Sequence, residues 1–140
     1  MENRTKKVMV FGTFDIIHPG HINFLKQAKK HGNHLTIVIA RDQTVKQVKS
    51  RLPLNNENKR QQNIIKTKLA DQVVLGNLDN KYKIIKQLKP DIICLGYDQI
   101  AFTEKLEEKL EEFNLNCKII KLKPYQPEKY KSSKIVNRQQ

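Results

Sequence analysis

Two histidines, His18 and His21, flank a proline and a glycine in the stretch Gly12-Thr13-Phe14-Asp15-Ile16-Ile17-His18-Pro19-Gly20-His21. An imidazole N–H donates hydrogen bonds to phosphate oxygens. The stretch follows an apolar run, Val8-Met9-Val10-Phe11, and precedes an amphipathic segment, Ile22 to Lys30. That order reads as a strand, a glycine turn and a helix. Pro19 suits the first helical position, where a missing N–H costs nothing. Unpaired N–H groups at a helix start attract phosphate, and the helix dipole adds to the attraction. A glycine beside the histidines lets a ligand approach the backbone closely. The chemistry this pattern points to is phosphate binding.

Three further stretches share that chemistry. Ala40-Arg41-Asp42-Gln43-Thr44-Val45 follows an apolar strand, with Lys46, Lys49, Arg51 and Pro53 beyond it. Its basic residues have the charge to fold over a triphosphate. Leu95-Gly96-Tyr97-Asp98-Gln99 closes another strand, so Gly96 and Asp98 stand where a nucleotide would lie. Lys131-Ser132-Ser133-Lys134-Ile135 opens a last helix. Hydroxyls and N–H groups there can hold a phosphate, or Ser132 is a plain cap.

The His-x-Gly-His spacing resembles the signature of the nucleotidylyltransferase superfamily. The preceding Gly-Thr-Phe-Asp narrows the likeness to its cytidylyltransferase-like branch, which includes glycerol-3-phosphate cytidylyltransferases and archaeal-type FAD synthases. Ala-Arg-Asp-x-Thr-Val and Leu-Gly-x-Asp-Gln resemble the FAD synthase pattern more closely. The likeness runs from residue 8 to 136. It implies nucleotidyl transfer from ATP or CTP to a phosphate monoester, with pyrophosphate leaving. FMN is the favoured acceptor, and glycerol-3-phosphate is the alternative. It implies that His18 and His21 stabilise the α-phosphoryl group, and that Lys49, with Lys46, holds the outer phosphates. Gly12, Thr13, Phe14 and Asp15 would form the nucleotide-binding turn, Asp15 by shaping it or placing a cation. Arg60, in Glu57-Asn58-Lys59-Arg60, matches the family's Glu-x-x-Arg and would support substrate binding. Gly96, Asp98, Ser132 and Ser133 complete the nucleotide site. A divalent cation, Mg²⁺, is expected to arrive with the triphosphate, without a protein metal cage. Relatives are often dimers, so a homodimer is expected. Two departures stand out: lysines 121, 123 and 129 occupy the region where many relatives carry an arginine, and the C-terminus lacks cysteines.

These residues need a scaffold. Apolar runs at 8–11, 35–40, 72–75, 91–95 and 117–122 alternate with helical patterns at 19–30, 42–49, 57–69, 81–89 and 103–113. Ile64, Ile65 and Leu69 are expected on one helix face, and Thr103 as a helix cap. Short apolar strands separated by helices specify a parallel sheet covered on both faces. The fold expected is α/β, a single Rossmann-like, doubly wound sheet of five parallel strands. Ligands in such sheets lie beyond the carboxyl ends of the strands. The turns at 12–21, 40–51, 96–99 and 124–133 fall there. No internal repeat is evident.

The 140 residues suit one domain spanning 1–140, with flexible ends at 1–6 and 137–140. The formal charge of +13, from 27 Lys+Arg against 14 Asp+Glu, favours phosphorylated partners. The basic residues are scattered and no stripe carries interleaved aromatics, which disfavours specific nucleic-acid binding. A noncatalytic nucleotide- or RNA-binding module is the reading of another class. Cys94 and Cys117 sit in apolar runs and read as small strand residues rather than a disulfide. No apolar run approaches the ~18 residues of a membrane span. A reduced, cytoplasmic protein is expected.

Overall fold

The computed structural model describes residues 5–78, 80, 82–96 and 99–124, with the backbone alone for 100–104. Five strands and five helices alternate, save that two helices follow the second strand. They are β1 (Lys7–Gly12), α1 (Pro19–Lys29), β2 (His34–Ile39), α2 (Asp42–Lys49), α3 (Glu57–Lys66), β3 (Gln72–Leu75), α4 (Lys83–Leu88), β4 (Ile92–Leu95), α5 (Ile100–Glu112) and β5 (Lys118–Lys121). All neighbouring strands are parallel, in the order β3-β2-β1-β4-β5. The chain winds outward from β1 to β3, then returns to build on β1's other side. This is the doubly wound α/β sheet expected. Among the described residues, no helix is long and apolar enough to cross a membrane.

Side chains alternate across each strand, and each sheet face gathers its own core. Val8 and Val10 of β1, Leu35, Ile37 and Ile39 of β2, and Ile92 and Cys94 of β4 share one cluster with Leu25 and Ala28 of α1 and Ile64 of α3. Met9, Val38, Ile93 and Leu95 turn to the opposite face, against Ile84 and Ile85 of α4 and Leu106 and Leu110 of α5.

One device appears twice at the amino edge. Asp71 N–H donates to the Leu35 carbonyl, and Leu35 N–H donates to the Asp71 carboxylate. Asp91 makes the same exchange with Lys7. Each aspartate opens a strand of the form Asp-x-x-x-Leu-Gly. The local pattern therefore does recur, at the length of one βα unit.

Three expectations need correction. α3 ends at Lys66, not Leu69, because the Thr67 hydroxyl donates to the Ile64 carbonyl at 2.6 Å and Lys68 takes a left-handed φ of 61°. Ile65 is exposed, since residues adjacent in a helix lie about 100° apart. Leu69 still packs on the core from outside the helix. Thr103 is not a cap: α5 begins at Ile100, with Gln99 in the cap position. Cys94 is buried in β4 and Cys117 half-buried just before β5, both as free thiols. Burial pushes their pKa values up, to about 11 and about 12. Thiols held protonated are poor nucleophiles.

Candidate active site

β1 pairs with β2 along its whole length, from Lys7↔His34 to Gly12↔Ile39. Its register with β4 covers only Val8↔Ile92 and Met9↔Ile93. The two strands part toward their carboxyl ends, at the point where the winding reverses. Doubly wound sheets bind ligands there. The Gln99 side chain spans the parting. Its Nε2 donates to the Phe11 carbonyl at 3.1 Å, and its Oε1 accepts from Gly96 N–H at 2.8 Å. Gln99 thus ties the ends of β1 and β4 together, a role its sequence position alone does not reveal.

His18 and His21 open α1. His18 is the N-cap residue, and Pro19 holds the first helical position. His18 Nδ1 accepts the Gly20 N–H at 3.1 Å. His21 Nδ1 accepts the His18 N–H at 3.3 Å. This is a capping box built from two imidazoles. A ring nitrogen that accepts carries no proton, so the geometry assigns both protons to Nε2. The rings stack with centroids 3.9 Å apart and planes 21° apart. The backbone thereby sets two parallel donors at a helix start. Gly20 is needed here for space: a Cβ would stand 2.9 Å from His18 Cε1.

The local environment keeps both rings neutral. Partial desolvation at the helix start lowers the His18 pKa, although the residue stays exposed. His21 falls from 6.5 to about 4, first through burial, then through its neighbour His18, with the charge of Lys49 adding and the Ile16 carbonyl opposing. Both shifts run downward, so between about pH 6.5 and 4 the unfolded chain binds more protons than the folded one. Stability then rises with pH in that window and is lost on acidification. The thermal unfolding midpoint is expected to fall as pH drops from 6.5 toward 4. In a His21→Asn variant, which keeps an acceptor for the His18 N–H, the fall should be shallower. A flat wild-type profile through the window would refute the neutral assignment.

The turn before α1 is held from below. Phe14 is 4% exposed and its ring meets His21 edge-on at 5.3 Å. Its φ of 51° is left-handed, a costly conformation for an aromatic residue. That backbone turn carries the ring under Gly12, where a Cβ would come within 2.5 Å of Phe14 Cε2. Phe14 therefore supports the turn from the core, through its buried ring. Asp15 shapes the turn. Its carboxylate accepts from the backbone N–H groups of Leu54 and Asn55 at 2.8 and 2.9 Å. The Asn55 side chain returns a bond to the Asp15 carbonyl.

Arg60 braces the same turn. It is fully buried. Its guanidinium donates to Asp42 at 2.7 Å, to the Thr13 carbonyl at 2.8 Å and to the Asn55 carbonyl at 3.0 Å. Arg60 thus acts on the site through Thr13, as a positioning residue. The starts of α2 and α3 also exchange carboxylates. Glu57 accepts from Asp42 N–H at 2.8 Å, and Asp42 accepts from Glu57 N–H at 3.2 Å. Arg41 joins them, bonding Glu57 at 2.8 Å and the Gly76 carbonyl at the end of β3. Arg41 and Arg60 are committed to this lock rather than to a triphosphate.

Lys46 and Lys49 are exposed on the last turn of α2. Lys49 is near enough for its charge to depress the His21 pKa. Ser50, in a left-handed conformation, ends the helix immediately after it. Gly96 lies at the parting of the strands. Asp98, Ser132 and Ser133 lie outside the described residues. The site's described carboxylates, Asp15, Asp42 and Glu57, are occupied by backbone N–H groups and arginines. Among the described residues no cluster of His, Cys, Asp and Glu could hold a metal ion.

Residues 9–138 match the cytidylyltransferase-like family. This chain belongs to that family. Its fold and its His-x-Gly-His helix start are those of a nucleotidyltransferase. It is 41% identical over 138 residues to an FAD synthase of Pyrococcus horikoshii, covering 97% of this chain and 93% of that one. It is 42% identical over 119 residues to an FAD synthase of Aciduliprofundum boonei, covering 85% and 79%. Among solved structures, a Thermoplasma volcanium protein described as a lipopolysaccharide core biosynthesis protein superposes with a TM-score of 0.82. It is 37% identical, over 88% of this chain and all of that one.

Proposed function

We propose that this chain is an FAD synthase, joining FMN to the nucleotidyl group of ATP or CTP. The observation that carries the chemistry is the stacked pair His18 and His21 at the start of α1, each with Nδ1 held by a backbone N–H and its proton therefore on Nε2. Identity to FAD synthases along nearly the whole chain supports FMN as the acceptor.

A phosphate oxygen of FMN attacks the α-phosphorus and forms the new P–O bond. The bond from that phosphorus to the bridging oxygen breaks, and pyrophosphate leaves with the electron pair. Such a transfer needs alignment and charge neutralisation rather than a covalent nucleophile. His18 and His21 donate to the α-phosphoryl oxygens as charge gathers there. The N–H groups of α1 and its dipole add to this. Lys49, with Lys46, meets the outer phosphates. Thr13 borders the same turn, fixed through its carbonyl. A divalent cation such as Mg²⁺ would neutralise phosphate charge. Its ligands would include the triphosphate's own oxygens.

The test is pyrophosphate release in the presence of Mg²⁺, with ATP or CTP paired with FMN or glycerol-3-phosphate. Release that requires FMN, with FAD appearing, is the expected result and names the nucleotide. Release only with CTP and glycerol-3-phosphate would overturn the acceptor. No release with any pair would overturn the proposed activity.

A further inference from the structure

Among the described residues six large apolar side chains are exposed, and four of them border the site. They are Leu54 at 76%, Val48 at 75%, and Ile16 and Leu52 at 59% each. We propose that these four form the platform that receives the flavin ring of the acceptor. The inference rests on the FMN reading above.

These residues are exposed but not loose. The segment 50–56 is folded back on the histidine turn by Asp15, through Leu54 N–H and Asn55 N–H, and by the return bond from Asn55. Arg60 holds the Asn55 carbonyl from within the core. The bond to Leu54 N–H brings that residue against Asp15, the neighbour of Ile16. Val48 lies beside Lys49 on the last turn of α2. Apolar groups kept in water contribute nothing to folding, and a fixed apolar patch beside a polar site marks a ligand surface.

The charge pattern selects the kind of ligand. Exposed Lys46, Lys49 and Arg51 share one short segment with exposed Val48, Leu52 and Leu54. A phosphate monoester carrying a flat, largely apolar ring fits that mixture: cations where the phosphates of the two substrates meet, and aliphatic surface beside them for the ring. A small phosphoalcohol would leave the aliphatic part unused. The strand order adds a position. The histidine turn follows the central strand β1, the parting from β4 lies on one side of it, and α2 with its loop lies on the other. The nucleoside end of the triphosphate takes the parting, its outer phosphates reach past the histidines to Lys46 and Lys49, and the flavin takes the apolar part of the loop.

The experiment measures KM separately for FMN and for the nucleotide in the full chain, with a Leu52→Ser/Leu54→Ser variant. Ile65→Ser, the same change at an exposed position near the opposite end of α3, serves as the control. The double variant should raise KM for FMN about tenfold, with KM for the nucleotide moving less than about twofold. Riboflavin, which lacks the phosphate, should compete with FMN in the wild type and lose that competition in the variant. An unchanged KM for FMN overturns the platform, as does an equal rise in both KM values. Loss of a dimer on size-exclusion chromatography with KM for FMN unchanged would make the patch a contact between copies instead. If the wild type makes no FAD, the FMN reading itself fails; if it makes FAD and the variant binds FMN normally, only the platform fails.

Discussion

Replacing His18 with alanine is expected to lower kcat by about 10²- to 10³-fold, the usual cost of removing one preorganised donor to a developing oxyanion. The proposed chemistry leaves little else for this residue to do. Its ring is exposed, its Nδ1 is occupied by Gly20 N–H, and its remaining N–H lies beside that of His21. The same substitution removes a helix cap, which costs about 1 kcal/mol. The two losses are separable. His18→Asn keeps an acceptor for Gly20 N–H and should recover most of the stability. Its shorter amide cannot reach where Nε2 does, so turnover should stay low. The His21 pKa offers a third readout. His18 is the second cause of its depression, so the alanine variant should move it upward from about 4. Wild-type kcat in His18→Ala would refute the donor role.

Much of this architecture is written locally. The inner strands β1, β2 and β4 are short and mainly apolar, because a parallel strand buried on both faces leaves no room for polar alternation, while the edge strands β3 and β5 keep exposed polar ends. The third strand lies at Gln72–Leu75, the span its β-branched pair and flanking glycine indicate. The histidine helix start is equally local: Pro19 follows its cap directly, and Gly20 sits where His18 would strike any side chain. What local pattern cannot carry is partnership across distance. Arg41 and Glu57 are 16 residues apart, and Asp42 and Arg60 are 18 apart. Read singly, each arginine is a cation near a phosphate site. Only the fold shows them buried or bonded against carboxylates that open the adjoining helices. One signal was available: Asp42 and Glu57 each begin a helix, and each has an arginine within three residues. Phe14 was hidden for a different reason, since its burial depends on a left-handed backbone that an aromatic residue rarely adopts. Gln99 was hidden because its partners, Gly96 N–H and the Phe11 carbonyl, become neighbours only where β1 and β4 part.

That lock leads to the second large effect. Arg60→Met should destabilise the chain by about 3–5 kcal/mol, the cost of breaking a buried ion pair by removing one partner. Methionine keeps a long apolar stem, so the bonds are the main loss. The loss is three bonds: Asp42 keeps a carboxylate without its cation, and the Thr13 and Asn55 carbonyls lose their donors. The melting temperature should fall by roughly 10 °C or more. Arg60→Lys should recover only part of this, because an ammonium cannot serve three acceptors in the plane of a guanidinium. A double variant, Asp42→Asn/Arg60→Met, separates stability from positioning. Asparagine still accepts from Glu57 N–H but leaves no unpaired charge, so stability should return partly. Turnover should not return with it, because Thr13 still lacks its anchor beneath the histidine turn. Full turnover in the double variant would show that the turn holds its shape without Arg60. A loss of under about 1 kcal/mol in Arg60→Met would instead make the pair a surface-strength contact, at odds with its burial.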